Sequence, residues 1–155
     1  MHKMLMKKTQ YTLLIALLAV FYVFTGCKKE PVAIPVSERI KNNYVAASVL
    51  EGSTTVYTSG GTSNSKPGYS VFRIDLSNPP TVRITALDGT VSTGTYALIG
   101  DTQLVLSGLT PPPTTTNGTI TFTISELGDG TVTLTRTTPD AKTGNTLNVY
   151  KLRKG

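Results

Sequence analysis

Beyond residue 43 the chain consists of short runs in which apolar and polar residues alternate with a period of two. That spacing puts one side of an extended strand in a core and the other in water. Eight runs carry it: Tyr44–Glu51, Tyr69–Ser77, Thr81–Leu87, Gly94–Ile99, Gln103–Ser107, Thr119–Glu126, Thr131–Thr137 and Thr146–Leu152. The cleanest places Ile120, Phe122 and Ile124 on one face and Thr119, Thr121, Thr123 and Ser125 on the other. Threonine suits a wet strand face, because its branched carbon favours extended backbone while its hydroxyl stays hydrated.

The breaks between runs are turn chemistry. Asp88-Gly89, Gly100-Asp101 and Gly128-Asp129-Gly130 supply residues that tolerate positive φ, and Asn78-Pro79-Pro80 cannot continue a ladder. Two longer connections remain, Gly52–Gly68 and Leu109–Gly118, and Thr54–Thr58 within the first reads as an extra edge strand. Ser37 is placed to cap a single helical turn over Glu38–Asn43. Short links between successive strands predict an all-β antiparallel meander closed as an eight-stranded barrel, which leaves no open edge. The alternative is a two-sheet β-sandwich, which needs longer crossing connections between its sheets.

The front of the chain is different. Lys7-Lys8 precede the uncharged apolar stretch Tyr11–Phe24, which is shorter than the ~20 residues a membrane span needs and matches a signal-peptide core. Phe24-Thr25-Gly26-Cys27 follows, and Cys27 is the only cysteine of the 155 residues. This stretch resembles the lipobox of bacterial lipoproteins, with Phe24 where that family usually has Leu. The resemblance implies acylation of Cys27, by chains of the palmitate type, and a mature protein starting there. It explains a solitary thiol in an exported protein, where cysteines are normally paired. Residues 1–26 are then a signal peptide. Residues 27–36, with Pro31 and Pro35, form a tether reaching roughly 33 Å at full extension. The expected address is the cell envelope, lipid-anchored, with the outer membrane as the expected membrane and its face left open.

Charge and chemistry narrow the rest. Half of the net +6 charge comes from Lys3, Lys7 and Lys8 in the signal segment. What remains is scattered, with clusters only at Arg39/Lys41 and Lys151/Arg153/Lys154 and no basic stripe of the kind nucleic acid requires. The one histidine, His2, lies in the signal segment, and acylation would consume Cys27. The domain thus lacks the usual nucleophile–base pairs and zinc ligands, so no catalytic residue, metal or cofactor is expected. The nine carboxylates mostly sit at turns, where Asp88, Asp101, Asp129 and Asp140 would bond nearby backbone. Asp75 is expected to face Arg73 or Arg83 in a surface pair.

Residues 37–155 form the expected domain, and in order and texture roughly Ser37 to Arg153 of it resemble the lipocalin-like domains of Bacteroidetes lipoproteins. The likeness rests on Gly94-Thr95-Tyr96-Ala97-Leu98, Asp101–Leu106, Thr119–Leu127, Thr131–Leu134 and Leu147–Lys154. Asn42-Asn43-Tyr44 stands where true lipocalins carry Gly-x-Trp, so the resemblance implies a barrel floor closed by Tyr44 under Arg153 or Lys151. It also implies an interior that takes a small apolar or amphipathic ligand. Alternation assigns that interior to Phe72, Ile74, Val82, Ile84, Tyr96, Leu98, Leu104, Leu106, Phe122, Ile124, Val132 and Leu134. The same side chains would also suffice to fill a solid core. In that case the domain would be a structural or interaction module meeting an envelope partner through its two long loops.

Overall fold

The computed structural model describes residues 33–155, of which Ile34–Gly155 form one compact unit. The expected signal peptide, Cys27 and most of the tether lie outside the described residues.

A single helical turn, α1 (Val36–Arg39), precedes nine strands. These are β1 (Asn43–Glu51), β2 (Thr54–Thr58), β3 (Arg73–Asp75), β4 (Thr81–Thr85), β5 (Val91–Ile99), β6 (Gln103–Thr110), β7 (Ile120–Leu127), β8 (Thr131–Arg136) and β9 (Asn148–Lys154). Each of β3 to β9 pairs antiparallel with the next, and β9 pairs back onto β1 over Tyr44–Glu51. The result is the expected closed eight-stranded antiparallel barrel, with β2 as one additional strand. Strand β1 carries β3 on its first residues and β2 on its last, along the same edge.

Two local expectations are corrected. The helical turn begins at Val36, two residues ahead of the predicted Glu38–Asn43, and ends at Arg39. Pro35 holds the cap position, and its carbonyl accepts from the Glu38 and Arg39 amides. Pro35 already has the φ that precedes a helix (−56°), and ending the turn at Ile40 lets that side chain drop fully into the core. The run starting at Tyr69 is not all strand. Pro67–Val71 form a 3₁₀ turn, and only Arg73–Asp75 join the sheet. Pro67 offers no amide to a ladder, and the turn swings the Tyr69 ring inward, where it is fully buried.

The inward faces of the strands form one hydrophobic cluster running from Ile40 and Tyr44 at one end to Phe72 and Tyr150 towards the other. Gly94 shows how tightly the wall is drawn. A Cβ there would lie 2.4 Å from the Ser107 carbonyl oxygen, at a bulge between Thr93 and Thr95 where β5 and β6 approach closely. Gly94→Ala is therefore expected to cost about 1–3 kcal/mol, as overpacking does. A urea-denaturation midpoint unchanged from wild type would refute this account of the bulge.

Candidate functional site

The two ends of the barrel are built differently. At the floor, Ile40, just past α1, is fully buried and Val36 packs against the core. Tyr44 is fully buried there, its hydroxyl 3.4 Å from the Arg39 carbonyl, and the Arg39 guanidinium donates to the carbonyl of Leu127 on β7. Burial raises the Tyr44 phenol pKa, opposed by a hydrogen bond from Asn42 and the positive charge of Arg39. Arg153 does not close this floor. It pairs in register with Val45, and its side chain is exposed on the outer face, as is that of Lys151. The cation at the floor is Arg39, brought in from the helical turn, and period-two reasoning along β9 could not have found it.

Above the floor the barrel is filled. Ile74, Leu104, Leu106 and Leu134 are fully buried, and Ile124 nearly so. Tyr96 is half-buried and donates from its hydroxyl to the Leu76 carbonyl at 3.0 Å. These nominated interior residues belong to or pack against the hydrophobic core, and none of them lines the cavity at the opposite end.

The opposite end is the mouth, and Phe72, Ile84 and Phe122 do border open space there. A cavity of about 50 Å³ lies among them, edged by Tyr69, Leu87, Pro113, Ile120, Arg136 and Tyr150. Its aromatic wall is continuous. Phe72 stacks on Tyr150 with centroids 4.6 Å apart, and Tyr69 and Phe122 meet Tyr150 edge-on at 6.2 and 6.0 Å. A polar rim surrounds this wall. Asn148 is fully buried, donates to the Tyr150 hydroxyl at 3.2 Å and accepts from Thr146 at 2.8 Å and Thr143 at 3.2 Å. Tyr69 donates to Glu51 at 2.8 Å, and Glu51 is also bridged by Lys66 at 2.7 Å. Desolvation pushes the Tyr150 phenol up to about 12 and raises that of Tyr69 as well.

Arg136, which reading by residue type passed over, is the most unusual group here. It ends β8 on the inward face opposite Phe122, is 4% exposed, and forms an ion pair with Asp140. Asp140 was expected only to bond nearby backbone. It does accept from the Lys142 amide at 3.0 Å, but its other oxygen serves this buried cation. The available signal was positional. Arg136 continues the inward series Val132, Leu134, which places a charge where the pattern demands an apolar residue.

Asp88 and Lys142 join across the mouth at 2.5 Å, linking the β4–β5 hairpin to the Ala141–Thr143 turn over 54 residues of sequence. The Lys142 ammonium and the Thr90 groups lower the Asp88 pKa to about 2. A depressed carboxylate stabilises the fold above its unfolded pKa, and that contribution is lost as pH falls through the folded value. The pair is largely solvated, so it is worth less than about 1 kcal/mol. Wild type should exceed Asp88→Asn in thermal stability near pH 5, and the gap should close towards pH 2. A gap that persists at pH 2 would show that the carboxylate charge is not responsible. Asp75, by contrast, makes no ion pair among the described residues. It shares a ladder position with Arg83 and accepts from the Ser77 amide and hydroxyl at 3.0 and 2.6 Å.

Connectivity, closure and the helical plug define a class: an up-and-down, lipocalin-like barrel with a sealed floor and a narrow, polar-rimmed aromatic mouth. No family model, curated protein or solved structure matches the chain.

Proposed function

We propose that this chain is an envelope lipoprotein, acylated at Cys27 and held at the outer membrane, whose barrel is a non-catalytic binding module for a small apolar or amphipathic ligand. The observation that carries the binding reading is the mouth cavity, where aromatic and aliphatic walls meet a few fixed polar groups, the usual make-up of a small-molecule site. Its volume of about 50 Å³ is well below the roughly 300–1,000 Å³ of a drug-sized pocket. The ligand is therefore small, or inserts only one end.

Native mass spectrometry of the full chain released from bacterial membranes tests both halves. The expected spectrum shows a covalent acyl increment on the N-terminal peptide and a non-covalent adduct that leaves on denaturation. An unacylated mass would remove the anchor from the proposal. A bare mass after incubation with apolar compounds would remove the ligand. The filled floor half favours a second reading, a rigid interaction module working through the connections 52–68 and 109–118. In that case, replacing either connection with a short turn would abolish capture of an envelope partner and leave the barrel folded.

A further inference from the structure

Charge at the mouth is matched pair by pair: Lys66 with Glu51, Lys142 with Asp88, Arg136 with Asp140. Among the described residues, Arg136 is the one of these cations with a buried donor that has no partner. Among the described residues Asp140 is its sole ionic or hydrogen-bonding partner, engaged at Nη1, and the buried Nε has none. A buried donor without an acceptor is costly, and more so when charged, so such a group calls for an explanation. A guanidinium offers a carboxylate two bidentate edges, Nη1/Nη2 end-on and Nε/Nη2 from the side. Asp140 occupies the Nη1 corner, leaving the side edge without an anion.

Resting on the reading of the mouth as a binding site, we propose that it recognises a short aliphatic carboxylate through that free edge of Arg136. Size sets the chain length. At roughly 12 Å³ per water-sized group, about 50 Å³ holds some four such groups, enough for the carboxyl end of a short aliphatic acid with the rest of its chain towards the opening. Phe72, Ile84 and Ile120 provide the apolar wall for the carbons. The acid brings the acceptors that Nε lacks, whereas an amide of equal size brings one carbonyl and no charge. Phe122 is the ladder partner of Arg136 and lines the same cavity with Tyr150, and such apolar surroundings strengthen an ion pair.

The test is ligand-observed NMR titration of the full chain in lipid nanodiscs with butyrate and with butyramide at pH 7. Butyrate is expected to bind at least tenfold more tightly than butyramide, and Arg136→Met should abolish that preference. Asp140→Asn, which removes the competing carboxylate but keeps an acceptor for the Lys142 amide, should strengthen butyrate binding several-fold. If the arginine variant does not fold, the discrimination between acid and amide by wild type decides the matter. Equal binding of acid and amide to wild type, or weaker butyrate binding by Asp140→Asn, overturns the carboxylate inference and leaves the mouth as a neutral site. Binding of neither probe overturns the inference together with the reading of the mouth on which it rests.

Discussion

Tyr150→Ala is expected to lose about 3–5 kcal/mol, the range for deleting a large buried aromatic side chain. Tyr150 is the hub of the mouth, 3% exposed, stacked on Phe72 and edge-on to Tyr69 and Phe122. No neighbour can collapse into its place without breaking one of those contacts, so the void persists. Urea denaturation should show the midpoint falling at nearly constant slope. Tyr150→Phe keeps the ring and removes only the acceptor for the Asn148 amide, and should cost about 1–2 kcal/mol. That variant also has a pH signature. With the folded phenol at about 12, the unfolded chain ionises first as pH rises above 10, and wild-type stability falls across that interval. The phenylalanine variant should lose less over the same range. An alanine variant as stable as the phenylalanine one would show that the aromatic cluster does not carry the mouth.

Asp140→Asn should be nearly as damaging for an electrostatic reason. Breaking a buried ion pair by removing one partner typically costs 3–5 kcal/mol, because the remaining charge is buried without compensation. Arg136 is the more buried member and has no other ionic partner among the described residues, so it bears that cost. The double variant Arg136→Met/Asp140→Asn removes the stranded charge and should recover most of the loss. A double-mutant cycle in urea is expected to give a coupling of about 2–4 kcal/mol. Additive losses would mean that the two side chains do not sense each other, despite their contact.

Period-two alternation was enough to read the barrel, because the pleat forces it wherever one face is buried. Phe122, Ile124, Leu104 and Leu134 all point inward as their spacing requires. The pattern failed where local backbone departs from the pleat. At Pro67–Val71 a 3₁₀ turn replaces strand. Beside a bulge between Ile124 and Glu126, Thr133 is buried although it alternates with the inward Val132 and Leu134, and its hydroxyl donates to Glu126 at 2.8 Å. The site was legible only in part. Alternation marks which side chains point inward and says nothing about how far along the barrel each one lies. Phe72, Ile84 and Phe122 at the mouth therefore look the same in sequence as Leu104 and Leu106 in the filled section. The partners of Tyr44 and Arg136 are near in sequence, Arg39 five residues before and Asp140 four after, but they sit outside the strands, where period-two spacing does not apply.

The ring does not close with equal strength all round. Strand β3 contributes three residues and makes three ladder pairs on either side, whereas β1 and β9 are joined by seven. Backbone pairing resists parting in proportion to the bonds that must break together, and local opening starts where they are fewest. The wall beside β3 is accordingly the compliant part of a stiff cylinder. Phe72, which borders the cavity, immediately precedes that strand. A guest longer than the cavity can then be accommodated by yielding of one side wall, with the sealed floor and the well-paired remainder of the ring left intact.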